Sequence, residues 1–500
     1  MAREYILLNV RAIVIVSVLI FTFGSNTIAF AQIDLLSIGS EPVTLSLWMR
    51  TREYVWSYFQ PGVIEKKTYE NRYNYQSNSL RAGLGYSIKG FKLYVEGMNP
   101  TLFDLPSHAT APAPAGFLGL GANYYSIHQE GLDSNVFLKQ AYVEFGRQLA
   151  KGLNLKGGRF EFNDGQDLVP EDGHLKWLVL NEVSQRLIGN FGWSDVMRSF
   201  DGAMVRYGRP DWNFTAMYGV PTRGVFDLDG MDEIRKVDVI YTALNGMFVR
   251  RWGNLLGRTF FIWYDDNRGL TPADNEPAKQ ASANHRTISV KSAATDLTGT
   301  YRLGSGTADT LMWAAYQFGD WGRQSQRAWA ALAQVGYCFD DIPWKPWPRA
   351  GFQMSSGDST PNNNVHGTFF QILPTPRVYA LNPIYNMMNN IDGSAEFVLD
   401  PLSNVESRTT FHSLWLSSSR DLWYYGGGAF DSHIFGYIGR PSFGKSYLGS
   451  ELDTGVTWKL SSYLQMSIFA GHFFGGPVVT ASFPAGRGET FGYAESILSL

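Results

Sequence analysis

Long apolar runs are missing from this chain. Beyond residue 32 no window approaches the ~18 to 20 consecutive apolar residues that a spanning helix needs, which excludes a helical membrane protein. Cysteine is nearly missing as well. Cys338 stands alone, so an intrachain disulfide and a multi-cysteine metal site are excluded, and the reading for this thiol is a small buried or lipid-facing filler. Charged residues make up only 17% of the chain with a net charge of -3, a balance that leaves no basic footprint for nucleic acid. The eight histidines form no H-E-x-x-H pair and no serine sits in G-x-S-x-G, so the chain reads as neither an enzyme of those classes nor a protein with a cofactor. Paired carboxylates are plentiful, but alternation alone does not fix the separation that glycoside hydrolysis demands.

What is present is a mixture unusual for a soluble protein: 15% aromatic residues and 52 glycines, with a mean hydropathy of only -0.16. Barrels whose strands alternate lipid-facing and lumen-facing positions produce this mixture, because half of each strand is polar. The first residues fit export. Arg3 and Arg11 precede the apolar run 12–23, and Ala29, Phe30 and Ala31 form an A-x-A cleavage pattern, so residues 1–31 read as a signal peptide cut before Gln32.

Period-2 alternation recurs along the rest of the chain, broken by turn residues. Leu452, Thr454, Val456 and Trp458 share one face of a candidate strand, with Glu451, Asp453, Thr457 and Lys459 on the other. Val43, Leu45, Leu47 and Met49 alternate with Thr44, Ser46, Trp48, Arg50 and Arg52 in the same way. Further candidate strands near 79–88, 90–98, 137–146, 154–162, 200–208, 211–219, 236–250, 258–266, 285–293, 296–303, 310–319, 327–338, 347–356, 406–418, 422–432, 448–460, 462–474 and 489–500 bring the total to about 18 or 19. An even count is expected of a bacterial barrel, which selects about 18. The fold expected is an all-β, single antiparallel transmembrane barrel filling residues 32–500. Its long irregular segments, 101–133, 163–199, 269–284 and 359–404, belong to the extracellular side or fold into the lumen. Aromatics clustered at Tyr54, Trp56 and Tyr58, at Trp344 and Trp347, and at Trp423, Tyr424 and Tyr425 suit interfacial girdles, and sugar-stacking platforms would look the same.

Three blocks carry a resemblance. GRFEFNDG at 158–165 is followed by SQRLIG and MRSFDG within 184–202; SGDSTPNNNVHGTFFQILPT occupies 356–375; GSELDTGVTWKLSSYLQMSIFAGHFFGG occupies 449–476. In order and content these resemble the alginate export family of outer-membrane β-barrels. The resemblance implies an approximately 18-stranded outer-membrane channel that passes a polyuronate through an arginine-rich lumen, with outer-membrane lipid around it, the anionic polysaccharide inside it and periplasmic delivery proteins behind it. Guanidinium groups bind carboxylates bidentately and stay charged, and rings of Arg or Lys are how pores select anions.

Alternation places Arg50, Arg52, Arg81, Arg159, Arg206 and Arg349 on polar strand faces, and the family blocks add Arg186 and Arg198. Glu144, Glu161, Asp201, Glu451 and Asp453 are expected to face the same lumen. The bland alternative is that these charges pair with one another and brace a polar interior. Asp164, Asp167, Glu171 and Asp172 supply oxygens for calcium, but their spacing is not that of an EF-hand and Pro170 interrupts it, so a solvated loop is the better reading. A general small-solute porin is the alternative function, and a surface hydrolase or adhesin a weaker one. The chain ends Ser-Ile-Leu-Ser-Leu rather than on the terminal Phe common in outer-membrane barrels.

Overall fold

The computed structural model describes residues 33–500 except 39–40, 65, 147–149, 252, 278–286 and 377–380, with side chains from residue 41 onward. The expected signal peptide and its cleavage site lie outside the described residues.

Eighteen strands form the wall: β1 Glu41–Ser57, β2 Arg72–Ile88, β3 Phe91–Phe103, β4 Phe137–Gly146, β5 Leu153–Phe160, β6 Phe200–Arg209, β7 Trp212–Pro221, β8 Val237–Arg250, β9 Gly253–Asp266, β10 Ile288–Leu303, β11 Gly306–Trp321, β12 Gln324–Cys338, β13 Trp347–Ser355, β14 Ile391–Leu402, β15 Val405–Trp415, β16 Tyr447–Lys459, β17 Leu464–Gly475 and β18 Gly488–Ser499. Each pairs antiparallel with its neighbour in sequence. β1 pairs β18 from Trp48↔Ser499 to Ser57↔Thr490, which closes the cylinder and leaves no free edge. The last residue is held too, since Leu500 and Leu47 exchange backbone hydrogen bonds of 2.8 and 3.0 Å.

One end carries Glu41, where the wall begins, Leu500 and the short turns, as at Lys89–Gly90, where both residues have positive φ and match a two-residue hairpin turn. The other end carries the long connections, which by the usual barrel asymmetry makes it the extracellular mouth. On β16, Leu452, Val456 and Trp458 are exposed on the outer face while Glu451 and Asp453 are fully buried inside, as the alternation predicts.

The wall differs from the sequence expectation in three places. The two strands expected at 285–293 and 296–303 are one strand, β10. Residues 422–432 are not in the wall: Leu422–Gly426 pairs with Tyr437–Pro441 in a separate two-stranded sheet within a mouth loop. The segment 359–404, expected to be irregular, contains β14, whose outward row Ile391, Gly393, Ala395 and Phe397 is interrupted by the small Gly393 and Ala395 and so gives only a weak alternation.

The aromatic clusters also sit elsewhere. Tyr54, Trp56 and Tyr58 point into the barrel and are buried, as are Trp347, Trp423 and Tyr424, whereas Trp344 is exposed. Outward-facing Tyr207, Tyr218, Tyr316, Trp329 and Trp458 supply rings on the lipid side instead.

The interior is filled rather than open. In the sector from β8 to β12, inward Val239, Tyr241, Ile262, Val290 and Trp313 form one apolar cluster with Phe369, Phe370, Ile372 and Leu373 from the connection 356–390. These apolar contacts, with Gln317 and Gln326 donating to the Phe370 and Thr368 carbonyls at 2.6 and 3.0 Å, fix that segment inside the cylinder.

Candidate functional site

The connection 161–199 runs the height of the barrel and back. Asp164 starts it beside Arg258, 3.7 Å away on β9. Asp172 then caps a short helix, α1 Gly173–Leu178, by accepting from the Leu175 N–H at 2.8 Å. A π-turn, Val179–Val183, follows. This bend reaches the short-turn end, where the Trp177 indole donates to Glu406 at 3.1 Å. On the way up, Ile188 forms a parallel bridge with Leu373, which splices the two lumen segments together. Gln185, Phe191, Met197 and Ile372 all hold positive φ in these segments. A β-branched Ile372 in that region costs on the order of 1–3 kcal/mol and persists only because its buried side chain is over-determined by packing.

Guanidinium–carboxylate pairs fasten this segment to the wall. Asp195 is reached by Arg50 at 3.5 Å, by the Ser77 hydroxyl at 2.7 Å and by the Tyr54 hydroxyl at 3.0 Å. Arg52 pairs with Glu495 and donates to the Trp193 carbonyl at 2.9 Å. Arg81 bridges Glu96 at 2.6 Å and Glu161 at 3.0 Å, and Lys139 joins Glu161 at 3.4 Å. Arg349 contacts Glu396 at 2.6 Å, Asp309 at 3.3 Å and Glu182 at 3.5 Å. Arg408 holds Glu182 at 2.5 Å and pairs with Glu396. Glu161, Glu182 and Asp195 are thus the segment's own carboxylates, each seated on a basic group of the wall.

Of the residues expected in the lumen, Arg50, Arg52, Arg81 and Arg349 are on inward rows within these pairs. Arg206 also faces inward, beside Met204, and among the described residues it has no ion-pair partner. Glu144 faces inward with Lys156 at 3.3 Å. Glu451 and Asp453 are buried on β16, near Glu489, whose carboxylate accepts from Asn382 at 2.6 Å. Arg186 is buried in the segment and donates to Gln353 at 3.3 Å and to the Glu182 carbonyl. Arg198 donates to the carbonyls of Gly427 at 2.5 Å and Ala429 at 3.4 Å. Without a carboxylate beside it, burial lowers its pKa to about 10.

Arg159 and Asp201 are corrected. They lie opposite each other on β5 and β6, paired at 2.6 Å. Their sequence neighbours Phe160 and Phe200 are fully buried inside, so the period of two turns this pair to the outer face, with Val95 and Val220 on the same row. The glycine-rich β5 sequence, LNLKGGRF, offered no apolar alternation from which to assign the face. The acidic loop is not the solvated segment expected, since Asp164 and Asp167 are buried. Asp164 faces Arg258, Asp167 accepts from the Tyr241 hydroxyl at 2.6 Å and Asp172 caps the helix.

Above the ion pairs, the mouth connections enclose a cavity of about 370 Å³ lined mainly by Trp56, Phe117, Phe191, Trp193, Phe226 and Tyr425, with Asn123 and Ser126 as polar groups. Beside it Arg440, also buried without a carboxylate, lies over Tyr425 at 4.1 Å and Trp423 at 4.8 Å and donates to the Ala115 carbonyl at 2.7 Å.

Several of these residues escaped the sequence reading. Arg258 and Arg408 sit on inward rows and could have been found by alternation, but Arg258 is flanked inward by Leu256 and Phe260, which disguised the row. Glu182 and Asp195 lie in an irregular segment with no period to read.

Comparison with known proteins places this architecture. The family model described as Alginate export matches residues 127–492. No curated protein matches the chain. Solved structures of similar fold include Pseudomonas aeruginosa OpdK with vanillate, at 8% identity and a TM-score of 0.52 over 91% of this chain and 98% of that one. Acinetobacter baumannii OccAB2 has 10% identity and a TM-score of 0.55 over 91% and 98%. Pseudomonas aeruginosa OccK9 (OpdG) has 11% identity and a TM-score of 0.54 over 92% and 98%. With a closed 18-stranded wall, long mouth loops folded inward and a family match over most of its length, the chain belongs to the alginate export family of outer-membrane β-barrels.

Proposed function

We propose that the protein is an outer-membrane channel that passes an anionic polysaccharide, alginate or a related polyuronate, supplied from the periplasm by delivery proteins. The family match over residues 127–492 carries this reading. The interior chemistry supports it in a specific way. A uronate polymer brings one carboxylate per sugar, and the wall's basic groups already hold carboxylates of the lumen segment, Asp195 on Arg50, Glu161 on Arg81 and Glu182 on Arg349 and Arg408. A cargo carboxylate that replaces one of these exchanges a pair for a pair, which avoids the large cost of stripping a buried charge of its partner. Binding is then firm enough to admit the polymer and labile enough to release it.

Planar-bilayer recording tests this reading. Anion preference and current block by mannuronate oligomers are expected; cation preference, or currents that ignore the oligomers, would sink it. A second reading, a small-solute porin, is favoured by the aromatic cavity, whose volume suits a single ring. A solved channel of the same architecture is described with vanillate. Vanillate uptake that is insensitive to mannuronate oligomers would select that second reading.

A further inference from the structure

We propose that His174, Cys338 and Asp340 bind a divalent transition-metal ion of the zinc type at the short-turn end of the barrel. One ligand atom from each of the three lies within 4.8 Å of the others, and His174 Nε2 is 3.8 Å from Asp340 Oδ1. Zinc bonds of about 2.0–2.3 Å in tetrahedral geometry set ligand atoms roughly 3.3–3.8 Å apart. Small side-chain rotations therefore close the triad on an ion.

Each ligand is already held in place by something else. The His174 ring packs edge-on against Trp347, with centroids 5.0 Å apart. Asp340 Oδ2 accepts from the Thr307 hydroxyl at 2.7 Å, which leaves Oδ1 as the oxygen turned to His174. Partners of this kind orient metal ligands. Cys338 is buried on the inward row at the end of β12, where its thiol lies 3.7 Å from the Lys345 carbonyl and faces the Asp340 carboxylate.

The donor set decides the class of ion. One imidazole, one thiol and one carboxylate suit zinc or cobalt, whereas calcium and magnesium require all-oxygen shells. A thiolate and a carboxylate together balance the two positive charges. The side chains of His174 and Asp340 are 30% and 34% exposed, which gives the ion an entry path and leaves a fourth position to solvent. The bound ion would join the turn between β12 and β13 to α1, the lowest point of the lumen segment. This proposal is independent of what the channel carries.

Cobalt titration of the folded full-length protein in detergent tests it. Wild type should bind one equivalent of cobalt with a thiolate-to-cobalt charge-transfer band and the visible bands of a tetrahedral site, both erased by zinc. Cys338→Ser should remove the charge-transfer band. His174→Gln, a change at a partly exposed side chain, should weaken binding at least about tenfold, and Thr307→Val should weaken it by about 10- to 100-fold through the oxygen it orients. Heat-modifiable gel mobility confirms the folded barrel for each variant. No charge-transfer band in wild type, or a band that survives in Cys338→Ser, overturns the proposal.

Discussion

Asp195, on the lumen segment, and Arg50, on the first wall strand, lie 3.5 Å apart with both side chains almost wholly buried. Tyr54 and Ser77 complete the seat of this carboxylate, so one residue of an irregular segment is gripped by two adjacent strands.

Asp195→Ala strips that seat. Arg50 is left buried with Glu495 at 3.9 Å as its remaining acid. Breaking a buried pair costs about 3–5 kcal/mol. The ascending arm should loosen, read as larger and noisier single-channel currents and a lower melting temperature, while heat-modifiable mobility still reports a closed barrel.

Arg206 and Arg159 separate lumen from surface. Reversing the inward charge with Arg206→Glu should shift the reversal potential toward cations in a salt gradient. Arg159→Glu, on the outer face, should leave selectivity unchanged while losing the pair with Asp201 and the hydrogen bonds to the Leu138 and Met231 carbonyls, read as a lower melting temperature. Equal effects from both variants would contradict the register that separates them.

Asp421 predicts a pH response in the mouth. It accepts from Thr368 at 2.6 Å, from Tyr424 at 2.7 Å and from the Asp358 N–H at 2.8 Å. Burial still pushes its carboxyl up to about 6 from 3.8. The folded value exceeds the unfolded one, so the fold favours the protonated form. Its contribution is fully present below about pH 4 and is lost as pH rises through about 6, a change of about 2–3 kcal/mol. Hydrogen-exchange protection of residues 422–426, corrected for intrinsic rates, should fall between about pH 4 and about pH 8. Asp421→Asn should flatten that difference.

Arg440→Lys is expected not to be conservative. The planar guanidinium lies against both Tyr425 and Trp423 while donating twice to the Ala115 carbonyl, at 3.1 and 2.7 Å. A lysine ammonium offers a point charge in place of that fork. Limited proteolysis should nick the connection 104–136 faster in the variant, and unchanged digestion would count against the tether.

The wall was legible in the sequence wherever outward positions carried large apolar side chains, as on β16. It was illegible where they did not. β14 interrupts its outward row with Gly393 and Ala395 after Ile391, and the mouth sheet at Leu422–Gly426 imitates a wall strand because its aromatics pack against other loops. Inward arginines were visible because a guanidinium is conspicuous on an alternating strand. Their partners were not, because Glu182 and Asp195 come from a segment with no period, and only the three-dimensional path brings them to the wall. Arg159 failed for a related reason: beside Gly157 and Gly158 nothing in the local pattern says which face is which.

The path of residues 161–199 has a mechanical consequence. Its two ends join β5 and β6 part-way up the wall, at Phe160 and Phe200, and its bend rests at the short-turn rim. A polypeptide strap suspended this way bears tension and buckles in compression. An object pressing on the bend from the mouth side would load both arms in tension, whereas one pressing from the short-turn side would load them in compression, so the segment's stiffness is expected to differ between the two directions.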